Sequence, residues 1–458
     1  MLRPMVLPSP SDAAILAIGR ELAAAMPSAA RHPLAALDDK AMDLAAQDAQ
    51  IKAALFRFVD VVPACRSVDD LAAHLSGFLS EVDAKPIALE QVLRLGGSLP
   101  GRAALGTAAA AGVKHMAHRF IVGESPQAAA RVLAGLWGDG VASSVDLLGE
   151  ATVTAAEADT YAKRCSEALT VLTAEATSWP ARPAIERDGA GELPRANLSV
   201  KVSALTPLLR PDAPELGRRD AAPRLGALLR QAKKVRAHLH IDMESYDSFE
   251  ATADLVLELL GEPEFADGPS AGVVLQAYLR DSPELADRLV QWVRDTPRAH
   301  PLVVRLVKGA YWDHEIVDAR QHGWTPPVFE VKAESDANFE RLTRVLLGAR
   351  TTGAGVRVAV ASHNLRSVAH AVACNRASGH PDEDLELQVL RGLGDGLQTA
   401  LASSGLRVRT YCPVGDLVAG MAYLVRRLLE NTANDSFLHE QGAGVPLERL
   451  LAAPGVPR

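Results

Sequence analysis

The sequence predicts an α/β protein, a closed (βα)8 TIM barrel preceded by an all-helical arm. Three observations carry that expectation. Residues 12–135 contain only alanine-rich amphipathic stretches of helical period. From about residue 141, short β-branched runs alternate with helical stretches, giving eight strands over roughly 290 residues. No Gly-x-Gly-x-x-Gly follows the first strand, which disfavours a doubly wound open sheet, the alternative for such an alternation.

In the arm, the pattern predicts helices over 12–25, 38–60, 67–82, 88–94 and 102–119. Turn signals separate them, at Lys85-Pro86 and Gly96-Gly97. The predicted strands are 143–148, 197–204, 238–243, 272–278, 302–308, 356–362, 385–390 and 407–412. Helices are expected near 155–178, 219–234, 283–294, 333–350, 365–376, 395–404 and 417–431. The domain organisation that follows is a helical arm and small helical domain over 1–135, a barrel over 136–440 and a tail over 441–458.

The 458 residues are 48% hydrophobic and 23% charged, the composition of a soluble globular chain. A formal net charge of −8 with no strongly basic stretch argues against nucleic acid as a partner. The first residues lack the apolar core of a signal peptide, and no run approaches the roughly 18 apolar residues of a membrane span. Cys65, Cys165, Cys374 and Cys412 are far apart and form no CxxC, which suits a reducing cytosol. His115 with His118, and His238 with His240, are close in sequence but lack a carboxylate in a ligand pattern. No metal is expected.

In a (βα)8 barrel, chemistry collects at the C-terminal ends of the strands. Polar residues expected there are Lys201 and Ser203, Asp242 and Glu244, and Gln276, Tyr278 and Arg280. The later strands add Arg305 and Lys308, then Ser362-His363-Asn364, then Glu386, Gln388 and Leu390, and last Tyr411. Charged side chains in strands that should be buried are costly unless paired or functional. Lys201, Asp242, Arg305 and Lys308 are four such residues, readable as internal ion pairs or as an active site. Near the C-terminus, Tyr423, Arg426, Arg427 and Glu430 fall at i, i+3, i+4 and i+7 on one helical face. Two guanidinium forks beside a tyrosine can clamp a carboxylate, and the same face can also be read as a solvated basic surface.

Two blocks, Arg305–Asp313 (RLVKGAYWD) and Tyr423–Phe437 (YLVRRLLENTANDSF), resemble proline dehydrogenases, most closely the dehydrogenase module of bifunctional proline utilisation A flavoenzymes. Residues 199–205 (SVKVSAL), 362–364 (SHN), 409–415 (RTYCPVG) and 52–64 (KAALFRFVDVVPA) agree in order. The likeness spans roughly residues 35–455. It implies a distorted barrel holding FAD, with the last helix lying over the barrel mouth. By the same likeness, Arg426 and Arg427 grip the proline carboxylate, supported by Lys201. Asp242, Ala310, Leu390, Tyr411 and Tyr423 line the substrate pocket, and Glu150 forms a gating ion pair with Arg426. Carried over as cofactor-binding are Gln276, Arg305, Val307, Lys308, Gly309 and Ala310. Tyr311, Trp312, His363, Asn364, Gln388 and Glu430 join them. Ser335, Ser362 and Ser436 complete the set, the first two standing where threonine is common in the family. Thr206 and Arg391 replace frequent histidines.

The activity implied is FAD-dependent oxidation of L-proline to pyrroline-5-carboxylate, with a quinone as acceptor. The expected location is the cytoplasm, with peripheral contact at the inner face of the membrane. The secondary amine must be unprotonated, so activity is expected to rise with pH. Bifunctional relatives continue into a pyrroline-5-carboxylate dehydrogenase module beyond the point matching Arg458. A single-activity enzyme and one part of a longer chain are both compatible with this. Two other functions fit a barrel with charged strand ends: a Schiff-base aldolase using Lys201 or Lys308, and a non-catalytic binding protein.

Overall fold

The computed structural model describes residues 5–27, 48–83, 90–91, 93–94, 98–149, 152–351, 355–416, 420, 423 and 444–455. Eight parallel strands close into a barrel. They are β1 (Val141–Leu147), β2 (Asn197–Lys201), β3 (His238–Asp242) and β4 (Ser270–Gln276). The second half adds β5 (Leu302–Val307), β6 (Val356–Ala361), β7 (Leu385–Leu390) and β8 (Val408–Val414). Closure is uneven. β1 pairs with β8 in register from Val141↔Val408 to Leu147↔Val414, but with β2 only at Val145↔Leu198 and Asp146↔Ser199. Helices cover the outer face of the barrel, and the inward-facing side chains, several of them polar, fill its interior.

All eight predicted strands are present, with ends shifted by a few residues. The predicted β2 is too long, because Val202–Ala204 turns into a 3-10 helix, and the predicted β4 is placed too late, since that strand runs from Ser270 to Gln276. Tyr278 and Arg280 therefore lie in the loop beyond the barrel. Among the described residues, three helices longer than a single turn escaped the pattern: Pro126–Gly138, Tyr246–Leu260 and Trp312–His322. The second buries Leu255, Val256, Leu257, Leu259 and Leu260 and turns Asp247, Glu250, Asp254 and Glu258 outward along one face. The last expected helix, 417–431, lies outside the described residues except at Gly420 and Tyr423.

The connecting helices carry ordinary start signals. Thr154 caps Ala155–Ala176 in a capping box with Glu157, and the Asn364 side chain caps Leu365–Ala377 by accepting from the Ser367 amide. The first helix, Asp12–Ala25, packs Ile15, Ile18 and Leu22 into the same apolar core as the barrel. Arg366 holds it from the barrel side, 3.1 Å from Asp12, and also donates to the Leu451 carbonyl at 2.9 Å. Helices Ala49–Val61, Val68–Ser80 and Leu99–Phe120 build separate clusters around Phe58, Val59, Val113, Ala117 and Phe120. Each fully buried Ile, Leu or Phe contributes about 1.5–3 kcal/mol.

Two fully enclosed histidines tie the fold to pH. His238, at the start of β3, bonds Ser270 Oγ at 2.8 Å and His240 at 3.1 Å. Burial, aided by Arg409, lowers its pKa to about 3. His370, inside helix Leu365–Ala377, is likewise lowered to about 3 by burial and then by Arg344 and Arg366. Unfolded histidines titrate near about 6.5. Between those values the unfolded chain binds protons that the folded chain refuses, so stability falls as pH falls. Thermal midpoints should therefore drop steadily from about pH 6.5 towards pH 3, beyond the loss seen in a His238→Asn/His370→Asn double variant. Equal slopes in the two proteins would show that these histidines do not govern acid stability.

Candidate active site

At the C-terminal end of the barrel, one buried arginine ties together side chains from five strands. Arg305 projects from β5 and is 4% exposed. Its Nη1 donates to Asp242 of β3 at 2.6 Å. Its Nη2 donates to Ser144 Oγ of β1 at 3.2 Å and to Ser199 Oγ of β2 at 3.3 Å. From β8, the Tyr411 hydroxyl donates to the other Asp242 oxygen at 2.7 Å, and the Arg305 guanidinium lies 5.3 Å from the Tyr411 ring centre. Burial, reinforced by Asp146 and Asp242, raises the Tyr411 pKa well above its ordinary value, so the phenol stays a neutral donor.

Lys201 ends β2 and forms an ion pair with Asp146 of β1. Its backbone amide donates to the Tyr161 hydroxyl at 3.4 Å. Burial works against the lysine charge, but Asp146 and then Asp242 outweigh it and raise the pKa above the ordinary lysine value. Lys201 is therefore a cation throughout the working pH range. Glu244, just past β3, is also shifted upward, in its case because burial outweighs the pull of Lys201. The described mouth thus holds two cations, Lys201 and Arg305, already matched by Asp146 and Asp242.

Lys201, Asp242, Arg305 and Tyr411 converge as the sequence suggested, whereas Lys308 does not join them. It lies one residue beyond β5 and pairs with Asp336 of helix Lys332–Thr351, with its ammonium 5.9 Å from the Phe339 ring. Burial lowers its pKa despite Asp336. Gln276 ends β4 and its Nε2 donates to the Glu244 carbonyl at 2.9 Å. Glu386, expected at the mouth, sits instead near the start of β7, where Arg409 binds it at 2.8 and 3.1 Å and Gln388 at 2.6 Å.

The loop after β5 depends on Gly309. Its φ of +143° is open to glycine alone, and a Cβ there would lie 2.4 Å from the Tyr278 ring. Ala310 is exposed, while Val307 and Tyr311 are half-buried. Trp312 begins a helix, is 40% exposed, and donates its Nε1 to the Phe329 carbonyl at 2.9 Å. After β6, Ser362 accepts from the Asn364 amide at 3.1 Å, and His363 Nε2 accepts from the Leu390 amide at 2.9 Å. That bond leaves the neutral ring's proton on Nδ1 and ties the β6 loop to the end of β7. Ser335 is buried in the first turn of Lys332–Thr351, and Tyr423 is buried with Phe58, Phe120 and Leu148. Glu150, Arg426, Arg427, Glu430 and Ser436 lie outside the described residues.

Sequence reasoning missed Asp146, Ser144 and Ser199. Asp146 was legible: it is a charge inside a predicted buried strand, the criterion that singled out Lys201. The serines carried no signal, because a hydroxyl in a strand is commonplace until a guanidinium is aimed at it.

A family model described as proline dehydrogenase matches residues 129–440, and one described as the proline utilization A N-terminal domain matches residues 12–120. The chain belongs to the proline dehydrogenase family. It is 32% identical over 347 residues to the bifunctional protein PutA of Salmonella typhimurium, covering 74% of this chain but 25% of that protein. Proline dehydrogenase 1 of Bacillus subtilis is 27% identical over 331 residues, 72% of this chain and 92% of that protein. Among solved structures, proline utilization A from Bdellovibrio bacteriovorus inactivated by N-propargylglycine superposes with a TM-score of 0.87 at 34% identity. It covers 97% of this chain and 44% of that one. The chain thus spans about a quarter of the length of the PutA proteins it matches.

Removing Asp242 should be costly for the fold itself. Leaving a buried arginine without its carboxylate typically costs about 3–5 kcal/mol, so Asp242→Ala should unfold at a markedly lower denaturant concentration. Asp242→Asn, which keeps an acceptor oxygen, should lose less. An Ala variant as stable as the parent would mean that Arg305 finds compensation elsewhere.

Proposed function

We propose that the chain catalyses FAD-dependent oxidation of L-proline to pyrroline-5-carboxylate and passes the electrons to a quinone. One observation carries the reading. At the mouth, on the adjacent strands β4 and β5, the buried acceptor Gln276 Oε1 and the buried donor Arg305 Nε both lack a protein partner. An unpaired buried polar atom costs about 1–3 kcal/mol. A planar ring edge offering both an N–H and an acceptor atom satisfies the pair, and a flavin has such an edge. FAD therefore fits the residues present. Gln276, Arg305, Lys308 and Gly309, with the Ser362–Asn364 turn, would hold it. When bound, FAD supplies the two-electron redox chemistry.

The remaining roles belong to the chain's own side chains. Lys201 offers a permanent cation to the substrate carboxylate. Tyr411 and Arg305 together fix Asp242, so the polar wall of the pocket keeps one geometry. Leu390 and Ala310 leave an apolar, uncrowded approach for a five-membered ring. Because Lys201 and Arg305 are already neutralised by Asp146 and Asp242, a substrate carboxylate needs further positive charge. In this reading Arg426 and Arg427 supply it, Tyr423 lines the same pocket, and Glu150 gates it through Arg426. Val307, Tyr311, Trp312, Ser335, Gln388, Glu430 and Ser436 complete the cofactor contacts.

The arm over 1–135, the barrel over 136–440 and the tail over 441–458 are parts of the same proposal. So is a pyrroline-5-carboxylate dehydrogenase, as a module or a separate chain, that consumes the product. Among the described residues no helix is long and apolar enough to cross a membrane, so the quinone would be met by peripheral contact at the membrane surface. The lysine aldolase alternative is the weaker reading: Lys201 has a raised pKa where a Schiff-base amine needs a lowered one, and Lys308, though lowered by burial, is held by Asp336 outside the convergence.

The purified protein, supplied with FAD, should be yellow and should bleach on anaerobic addition of L-proline but not of D-proline. A protein that takes up no flavin would defeat the proposal. Arg427→Met should raise the KM for proline on the order of a hundredfold, since losing one partner of a buried charged contact costs about 2–5 kcal/mol and roughly 1.4 kcal/mol is a factor of ten. Flavin content should hold. An unchanged KM with loss of flavin would reassign that helix to the cofactor.

A further inference from the structure

The opposite end of the barrel holds a polar cavity with a charge imbalance. It has a volume of about 20 Å³ and is lined by residues at the N-terminal ends of the strands, among them Asn197, His238, Ser270, Arg357, Glu386 and Arg407. Room for one water-sized occupant needs about 10–15 Å³. A short hairpin, Arg187–Asp188 against Gly191–Glu192, sends Asp188 to this end. Asp188 accepts from Arg357 twice at 3.0 Å and from Arg407 at 3.1 Å. Glu386 is taken by Arg409.

The charges do not cancel. Arg357, Arg407 and Arg409 are each at least 96% buried, and arginine stays protonated in proteins. Asp188 and Glu386 are the carboxylates that pair with them among the described residues. His238 and His240 add ring nitrogens but no charge, because burial holds both in the neutral form. Three positive charges thus face two negative ones. Nearby, Arg298 donates only to the backbone carbonyls of Phe265 and Pro269, so it adds to the positive potential without a carboxylate. Two donor atoms also lack partners, Arg357 Nη1 and Arg407 Nε, both fully shielded from solvent. A water could accept from those donors but could not balance the charge, and an uncompensated buried charge costs several kcal/mol.

We propose that this cavity is a binding site for one small monovalent inorganic anion of chloride size, held by Arg357 and Arg407. Its position at the N-terminal face of the barrel, away from the mouth, assigns it to stability rather than chemistry. The anion completes the charge balance of a plug made by the hairpin and three arginines.

Crystals of the whole chain grown with sodium bromide in place of chloride test this directly. Diffraction at the bromine edge should show an anomalous peak between Arg357 and Arg407; no peak there would overturn the proposal. In solution, the thermal midpoint should rise with sodium chloride and saturate, relative to sodium gluconate at matched ionic strength. Arg407→Gln should remove that chloride-specific rise. If Arg407→Gln does not fold, the parent protein still decides: identical midpoints in chloride and gluconate would contradict the site.

Discussion

The buried contact between Arg305 and Asp242 is the constraint on which the barrel mouth depends. A guanidinium cannot be left bare in a barrel interior, so β5 can carry Arg305 only if β3 brings a carboxylate to it and β1 and β2 bring hydroxyls. Asp242, once committed to Arg305, has one oxygen left, and Tyr411 takes it from β8. Five of the eight strands are thereby held in one arrangement by the Arg305–Asp242 pair. The short β1–β2 pairing is spanned by the same network, since Ser144 bonds Asn197 at 2.7 Å and Ser199 at 3.1 Å. A rigid polar wall of this kind is what a site needs if geometry rather than side-chain motion is to select the substrate.

The two ends of the barrel treat buried charge differently, and the difference bears on function. At the mouth, Lys201 and Arg305 are paired with Asp146 and Asp242, and the open valences include single hydrogen-bonding atoms on Gln276 and Arg305. Such a surface favours a polar, largely neutral ring system and asks for extra cations before an anionic substrate will stay. At the base, an excess of arginine is locked behind a hairpin, with imidazoles kept neutral by burial.

Much of the barrel was legible because a buried parallel strand has a plain signature: a short β-branched run between helical stretches. The strand ends blurred where a residue could belong either to a strand or to the turn after it, as Val202 and Tyr278 did. Helix Tyr246–Leu260 carries a legible period, with Asp247, Glu250, Asp254 and Glu258 along one face, and was overlooked rather than hidden. At the site, charged residues in strands stood out, and three of the four converge. Lys308 does not, because the strand stops one residue earlier and the side chain turns out to Asp336. Glu386 was read as belonging to the mouth because strand number was visible in the sequence and depth along the strand was not. The roles of Arg426 and Arg427 rest on helical spacing and family likeness, their positions lying outside the described residues.

A crystal structure of the flavin-loaded chain with L-tetrahydrofuroic acid tests the central claim most directly. That compound keeps the carboxylate of proline and replaces its amine with an ether oxygen, so it should bind without turnover. The account predicts its carboxylate within hydrogen-bonding distance of Lys201 and at least one of Arg426 and Arg427. Its ring should lie at the mouth, beside a cofactor edge bonded to Gln276 Oε1 and Arg305 Nε. A ligand bound elsewhere, or those two atoms still unpaired with cofactor present, would contradict it.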